Sequence, residues 1–505
     1  MRRACLPVAL FMLATACAQQ PRPVVAPQPP AGPLPGATAL QSDLKSIFQA
    51  PAFSNAVWGV LVRSLKTGET LFDLNPRTLL MPASNMKVVT MAAAAQTLGW
   101  DRTFKTTVMA TGPVERGVLE GDLVVVGSGD PSFGGRPTTA GAAIFETWAT
   151  ELRAKGISTI HGRIIGDDRA FELQGLGAGW AWDYLDANYA TPTGGLNFNE
   201  NLVQVTIKPG PAEGDMASVE SNPGGHGLII DNAVHTSAKT SEVSISLDRP
   251  LGTSVLRVSG LVPVGRAPVV RTVSVESPTQ LFVGALRQAL SHNGIAVSGD
   301  AVDIHSLDTP PDMTRAVPLL TYTSPTLAQI GKLTLKVSQN LYADTLLRLM
   351  GCPLPIESRP MCTTRAGVRT VQQVLGGWGL TPDRYVMVDG SGLSRYNYLT
   401  ADVLVTILTR INADERLRPA FVDALPVAGV DGTIGSRMKD TKAQGNARAK
   451  TGSISNARAL SGYVTSADGE PLVFSMIVNN FNVAQAEADK LIDRAVVRLA
   501  EFRRR

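Results

Sequence analysis

The chain has 505 residues, 44% hydrophobic and 18% charged, with a formal net charge of +4. That is enough apolar material for roughly two to four domains with real cores, and the composition excludes a disordered or low-complexity chain. The charge is mild and scattered, without a long internal Lys/Arg block, so no nucleic-acid partner is expected.

Arg2 and Arg3 precede an apolar run over residues 6–16 that ends in small residues. A positive end, a short apolar stretch and a small-residue exit predict a secretory signal over residues 1–18, too short to span a bilayer. Cleavage after Ala16 and after Ala18 both fit. The stretch Leu13-Ala14-Thr15-Ala16-Cys17 also resembles a lipoprotein signal, in which Cys17 would carry a lipid anchor, although Ala14 is a poor match. Residues 19–38, rich in Pro, Ala and Gln, read as an extended linker. No second long apolar segment follows, so the expected location is the periplasm or cell envelope. Cys5 and Cys17 belong to the signal region. Cys352 and Cys362 remain, and two isolated thiols in an oxidising compartment are expected to form a disulfide. The five histidines are dispersed and no Cys/His cluster has metal spacing, so no metal is expected.

Globular sequence begins near residue 40. Alternating apolar residues around Lys66-Thr67-Gly68 predict a β-hairpin over 58–74. Pro82-Ala83-Ser84 then leads into a helix that is apolar nearly all round and therefore buried. Residues 39–97 form the first part of one domain. A β-rich region follows over 98–310, probable strands falling at 104–110, 121–126, 162–166, 202–208, 242–247 and 269–275. Helices interrupt it at 139–155 and 278–291. It divides into two modules, the second over about 190–270. Residues 311–505 return to the first domain, with helices at 327–350, 364–378 and 400–412. Strands follow at 446–450, 459–464 and 472–478. The last helix covers 483–502, and its basic tail Arg503-Arg504-Arg505 suits a helix C-terminus.

Three short motifs carry the chemistry, and each occurs more than once. Ser-x-x-Lys falls at Ser42, Ser84 and Ser436; Ser-x-Asn at Ser291 and Ser338; Lys-Thr-Gly at Lys66 and Lys450. Only Ser84-Asn85-Met86-Lys87 enters a buried helix. One helical turn puts Lys87 on the side of Ser84, and apolar surroundings make a lysine neutral enough to accept a proton. Ser42 lies near the linker on a polar-faced helix, and Ser436 in a charged stretch. Ser338-Gln339-Asn340 is embedded in helical sequence that also holds Lys336 and Asp344, whereas Ser291 precedes Asn293-Gly294 at a helix C-terminus. Ser338 can relay a proton to a leaving amine and Asn340 can hold a substrate amide. Lys450-Thr451-Gly452 is expected to end a strand, Gly452 allowing close approach of substrate backbone while Lys450 and Thr451 bind a terminal carboxylate. The backbone N–H groups of Ser84 and Ser453 are the expected oxyanion hole. Lys66-Thr67-Gly68 is a hairpin tip.

With these motifs the chain resembles the class C low-molecular-mass penicillin-binding proteins, the D-alanyl-D-alanine carboxypeptidase/endopeptidase family, from about residue 40 to residue 495. Further matches are Gly127-Ser128-Gly129-Asp130-Pro131, Gly166-Asp167-Asp168, Gly179-Trp180-Ala181-Trp182-Asp183, the stretch from Asp389 to Arg395, and Ala428-Gly429-Val430-Asp431-Gly432-Thr433. Gln339 stands where Asp is commoner in that family. The Asp389 stretch reads as a tight Gly-rich turn bracing the site. The resemblance implies an α/β fold: a discontinuous penicillin-binding/serine β-lactamase-like peptidase domain, an antiparallel sheet flanked by helices, with inserted mainly β domains. It implies a serine-type D-Ala-D-Ala carboxypeptidase acting on peptidoglycan stem peptides, acylated by β-lactams at Ser84, able to cut D-Ala cross-links and without a cofactor. A serine β-lactamase shares the motifs, but the large inserts and the matches within them argue against it.

Overall fold

The computed structural model describes residues 35–136, 142–352 and 361–504. The signal, Cys5, Cys17 and the linker up to residue 34 lie outside the described residues.

The apolar run near the chain's end is buried on both sides because it is the middle of a sheet. Strand Pro471–Asn479 pairs antiparallel with Val57–Ser64 on one flank and with Ala457–Thr465 on the other; Thr70–Leu74 and Arg448–Ile454 are the edges. Successive side chains point to opposite faces. Val60, Val62, Phe474 and Met476 enter one cluster with helices Pro35–Phe48 and Gln485–Glu501. Leu61, Val473 and Ile477 enter the other, built on helices Met86–Leu98, Asn340–Met350 and Ala401–Ala413. Strands from the start and the end of the chain thus share one helix-covered sheet, and the α/β catalytic unit is discontinuous.

Helix Pro35–Phe48 begins inside the stretch that reads as linker, because Ala37, Leu40 and Leu44 are buried in the first cluster. The basic tail folds back onto the sheet, where Arg504 ion-pairs with Glu69 and Glu470 at 2.6 Å each.

The inserted region has a five-stranded sheet in the order Ala301–Asp303, Ile164–Asp167, Leu123–Val126, Lys105–Ala110, Val317–Thr323. Helices Ala142–Ala154 and Pro278–His292 pack on it through Phe145, Trp148 and Phe282. The pairing of Val317–Thr323 with Lys105–Ala110 carries this sheet past residue 310, where the sequence placed the return to the catalytic unit. Two three-stranded sheets lie between Leu202 and Ser274, within the stretch expected as the second module. The fold also brings Asp168 to Asp303 and His305, which are distant from it in sequence, with His305 Nε2 3.0 Å from Asp168.

The segment 327–350, expected as one helix, is two: Leu327–Lys336 and Asn340–Met350. Ser338 breaks it with a φ of +63°, a left-handed conformation that costs a non-glycine residue roughly 1–2 kcal/mol. Gln339 Oε1 offsets part of that by accepting from Leu341 N at 3.0 Å, capping the second helix.

Candidate active site

Ser84 sits in a 3₁₀ turn, Ala83–Asn85, that opens helix Met86–Leu98. Asn85 does not cap this helix. Its Nδ2 donates instead to the Lys450 carbonyl at 3.1 Å, tying the turn to strand Arg448–Ile454. Lys450, Thr451, Gly452 and Ser453 therefore lie inside that strand. The expected strand end at Gly452 is incorrect, because pairing with Ala457–Thr465 runs on to Ile454 opposite Ala457. Gly452 has a local structural reason: a Cβ there would overlap the Pro82 carbonyl oxygen of the nucleophile turn.

Lys87 is fully buried and donates to Ser84 Oγ at 2.9 Å, Asn340 Oδ1 at 2.6 Å and the Ser391 carbonyl at 2.7 Å. Burial lowers its pKa to about 7, against the opposing pull of the Asp344 and Asp389 carboxylates. At neutral pH a large share of Lys87 is therefore the free amine that a general base requires.

Lys450 is also fully buried, and burial together with the charge of Lys87 holds it well below the usual lysine range. Its Nζ donates to Ser338 Oγ and to the Thr451 carbonyl, both at 2.9 Å. The left-handed turn at Ser338 is what aims that hydroxyl at Lys450. Asn340 is occupied at both polar ends: Oδ1 accepts from Lys87, and Nδ2 donates to the Tyr189 carbonyl at 2.7 Å. Thr451 Oγ1 donates to Thr433 Oγ1 at 2.8 Å. Ser453 is exposed on the sheet's edge strand. One centre thus collects Ser84, Lys87, Ser338, Asn340, Lys450 and Thr451 from segments far apart in the chain. Ser42, Ser291, Ser436 and Lys66 are outside this hydrogen-bonded set; Arg437 beside Ser436 pairs with Asp489 and Asp493.

Several residues of the centre carry no local motif. Asp344 is buried on helix Asn340–Met350, and its Oδ1 accepts from Gly390 N at 2.7 Å and Ser391 N at 3.1 Å. Burial and the nearby Asp389 push its pKa up to about 7. Asp389 folds the Gly-rich turn on itself, accepting from Gly392 N, Ser394 N and Asn397 Nδ2 at 2.7 Å each, and from Trp180 Nε1 at 2.9 Å. Gly392, at φ +84°, rests against the Ala83 carbonyl, so this turn braces the Ser84 turn. Trp180 and Tyr189, from the inserted region, thereby touch the catalytic elements. Asp344 had one weak signal, an acid four residues after Asn340 and so on the same helix face.

Cys352 and Cys362 are both buried and joined by a disulfide.

Residues 40–502 match the D-Ala-D-Ala carboxypeptidase 3 (S13) family. The chain is 36% identical over 479 residues to a D-alanyl-D-alanine carboxypeptidase of Actinomadura sp., an alignment covering 92% of this chain and 85% of that protein. It is 25% identical over 468 residues to D-alanyl-D-alanine carboxypeptidase DacB of Haemophilus influenzae, covering 89% and 94%. Among solved structures, penicillin binding protein 4 from Haemophilus influenzae matches with a TM-score of 0.77 at 22% identity, covering 91% of this chain and all of that one. A structure of the same protein complexed with a β-lactam matches with a TM-score of 0.73, also at 22% identity, covering 91% and 99%. At that identity the likeness speaks for the fold.

Proposed function

Since the chain belongs to the D-Ala-D-Ala carboxypeptidase 3 (S13) family and is a serine-type D-Ala-D-Ala carboxypeptidase, we propose that its acyl-enzyme forms on Ser84 with Lys87 as the base. The observation that carries this is the 2.9 Å contact between Ser84 Oγ and a fully buried Lys87 whose pKa lies near 7. Ser84 Oγ attacks the carbonyl between the two terminal D-alanines of a peptidoglycan stem peptide, and its proton passes to Lys87 Nζ. The oxyanion lies between the N–H groups of Ser84 and Ser453. When the C–N bond breaks, Ser338 delivers a proton to the departing amine and is resupplied through Lys450. Water then hydrolyses the ester.

Strand Arg448–Ile454 is the sheet edge, so the stem peptide adds beside it as a further strand. Gly452 and Ser453 meet its backbone. Thr451, partnered by Thr433, binds the terminal carboxylate, with Lys450 acting from behind. Asn340 Nδ2 exchanges the Tyr189 carbonyl for the substrate amide. The same attack on a D-Ala cross-link is endopeptidase action, and a β-lactam presents a strained amide to the same groups. We assign export to the envelope to the N-terminal signal, with Cys17 as the residue that would carry a lipid. The domain reading is a peptidase unit from both ends of the chain with two inserted modules between.

Intact-mass spectrometry after benzylpenicillin, with peptide mapping, tests this. The expected result is a slowly released adduct on Ser84. Unmodified protein with intact drug overturns the site, and unmodified protein with hydrolysed drug points to a β-lactamase.

A further inference from the structure

Two cavities share one wall residue, Thr272, and one of them is lined by residues of the catalytic centre. One, of about 570 Å³, is lined by Ser338, Gln339, Asn340, Tyr189 and Thr272. The other, of about 620 Å³, runs between residues 182–187 and the second inserted module, and Thr272 lines it too. Both are ligand-sized. The second is built in advance of any ligand. Arg249 of the second module binds across it, its N and Nε each 3.0 Å from the Asp186 carboxylate and its Nη2 3.2 Å from the Leu185 carbonyl. Trp182 on its wall is 73% exposed, although Trp180, two residues earlier, is anchored on Asp389. A large aromatic face held in water beside fixed polar groups is a stacking platform.

The charge of the walls selects the occupant. Asp183, Asp186, Asp248 and Glu276 face only Arg249 and Arg271. Surplus negative charge disfavours a second, carboxylate-rich peptide arm. It suits an uncharged polar ligand with a flat apolar face, which describes N-acetylated hexosamines. We propose that this groove binds the glycan strand to which the stem peptide is attached, so that the second module grips the polymer while the catalytic unit cuts the peptide. This rests on the reading of Ser84 as the peptidase nucleophile.

The test compares D-Ala release from a stem pentapeptide with release from the same peptide on its disaccharide. The wild type should favour the glycan-linked substrate about tenfold in kcat/KM. Trp182→Ala should remove that preference while leaving free-peptide turnover and benzylpenicillin acylation unchanged. Equal wild-type kcat/KM for the two substrates, or a Trp182→Ala loss shared equally by both, overturns the proposal. A peptide-free N-acetylglucosamine tetramer should also compete with the glycan-linked substrate in the unmodified enzyme, and no competition overturns it without any variant. Failure of Ser84 acylation would instead strike the catalytic reading, because glycan competition and penicillin labelling are read separately.

Discussion

Deprotonation of Lys87 should set the acid limb of the acylation rate, and Asp344 should set where that limb lies. A lysine at its ordinary pKa of 10.5 is neutral in about one molecule in three thousand at pH 7, whereas at about 7 it is neutral in half. That difference corresponds to about 5 kcal/mol, supplied by complete burial of the side chain. The second-order rate constant for benzylpenicillin should therefore fall roughly tenfold per pH unit below 7. Asp344 opposes burial: it reaches Lys87 through Ser391, whose N–H it accepts and whose carbonyl accepts from Lys87. Asp344, its own pKa near 7, is only partly charged on this limb, so Asp344→Asn, which removes the charge that favours the ammonium, should move the limb acidward by less than one unit. The assay is stopped-flow acylation from pH 5 to 9, with adduct mass confirming the site. A limb that moves alkaline in Asp344→Asn, or a wild-type rate with no acid limb near pH 7, would refute the assignment of the base.

The other expectations concern elements that hold the site. Gly392→Ala should slow acylation about a hundredfold, because its Cβ would displace the Ala83 carbonyl and with it the Ser84 turn; an unchanged rate would show that the Asp389 turn does not brace the nucleophile. Gln339→Asp would set a second carboxylate against buried Glu200, which already has a raised pKa from burial and accepts from Gln339. It should lower stability by ~1–3 kcal/mol in urea unfolding and be largely rescued by Glu200→Gln, whereas simple additivity of the two changes would contradict the contact. Arg504→Ala leaves Glu470, 6% exposed, without its cation and should cost about 1–2 kcal/mol. Arg504 holds Glu470 below its ordinary 4.5, so this stabilisation is present above pH 4.5 and is lost as pH falls through the folded value. The gap between wild type and variant should close in acid; a gap that widens there would reverse the sign.

What the sequence makes legible is local chemistry. Ser84 and Lys87 are one helical turn apart, and the burial that activates Lys87 is visible in the apolar residues around it. The near-continuous apolar run over 472–478 marks a strand covered on both faces. The break at Ser338 is hidden, because neither Gly nor Pro marks it and the apolar period runs through. Only the fold shows that a left-handed serine lets its hydroxyl reach Lys450, 112 residues on. Asp344, Tyr189 and Thr433 act through partners 18 to 151 residues away, beyond the reach of spacing arguments. The strand Val317–Thr323 pairs with Lys105–Ala110, about two hundred residues earlier, a separation that no local pattern reveals.

That same pairing brings the entry and exit of the inserted region together. Lys105 lies opposite Thr323, and Phe104 and Ser324 are hydrogen-bonded to each other through Phe104 N to Ser324 Oγ and Ser324 N to Phe104 O, both at 2.9 Å. Topologically the whole region is a cassette: a short turn from residue 104 to residue 324 would bypass it without stretching the peptidase sheet. Chemically it is not detachable. Trp180 on Asp389 and the Tyr189 carbonyl on Asn340 are joined by Arg348 Nη1 on the Thr193 carbonyl at 3.0 Å and Cys362 N on the Ala170 carbonyl at 2.7 Å, and Ala170 and Phe171 are buried in the peptidase core, so a cassette-free enzyme should have both a slack Asn340 and a gap in that core.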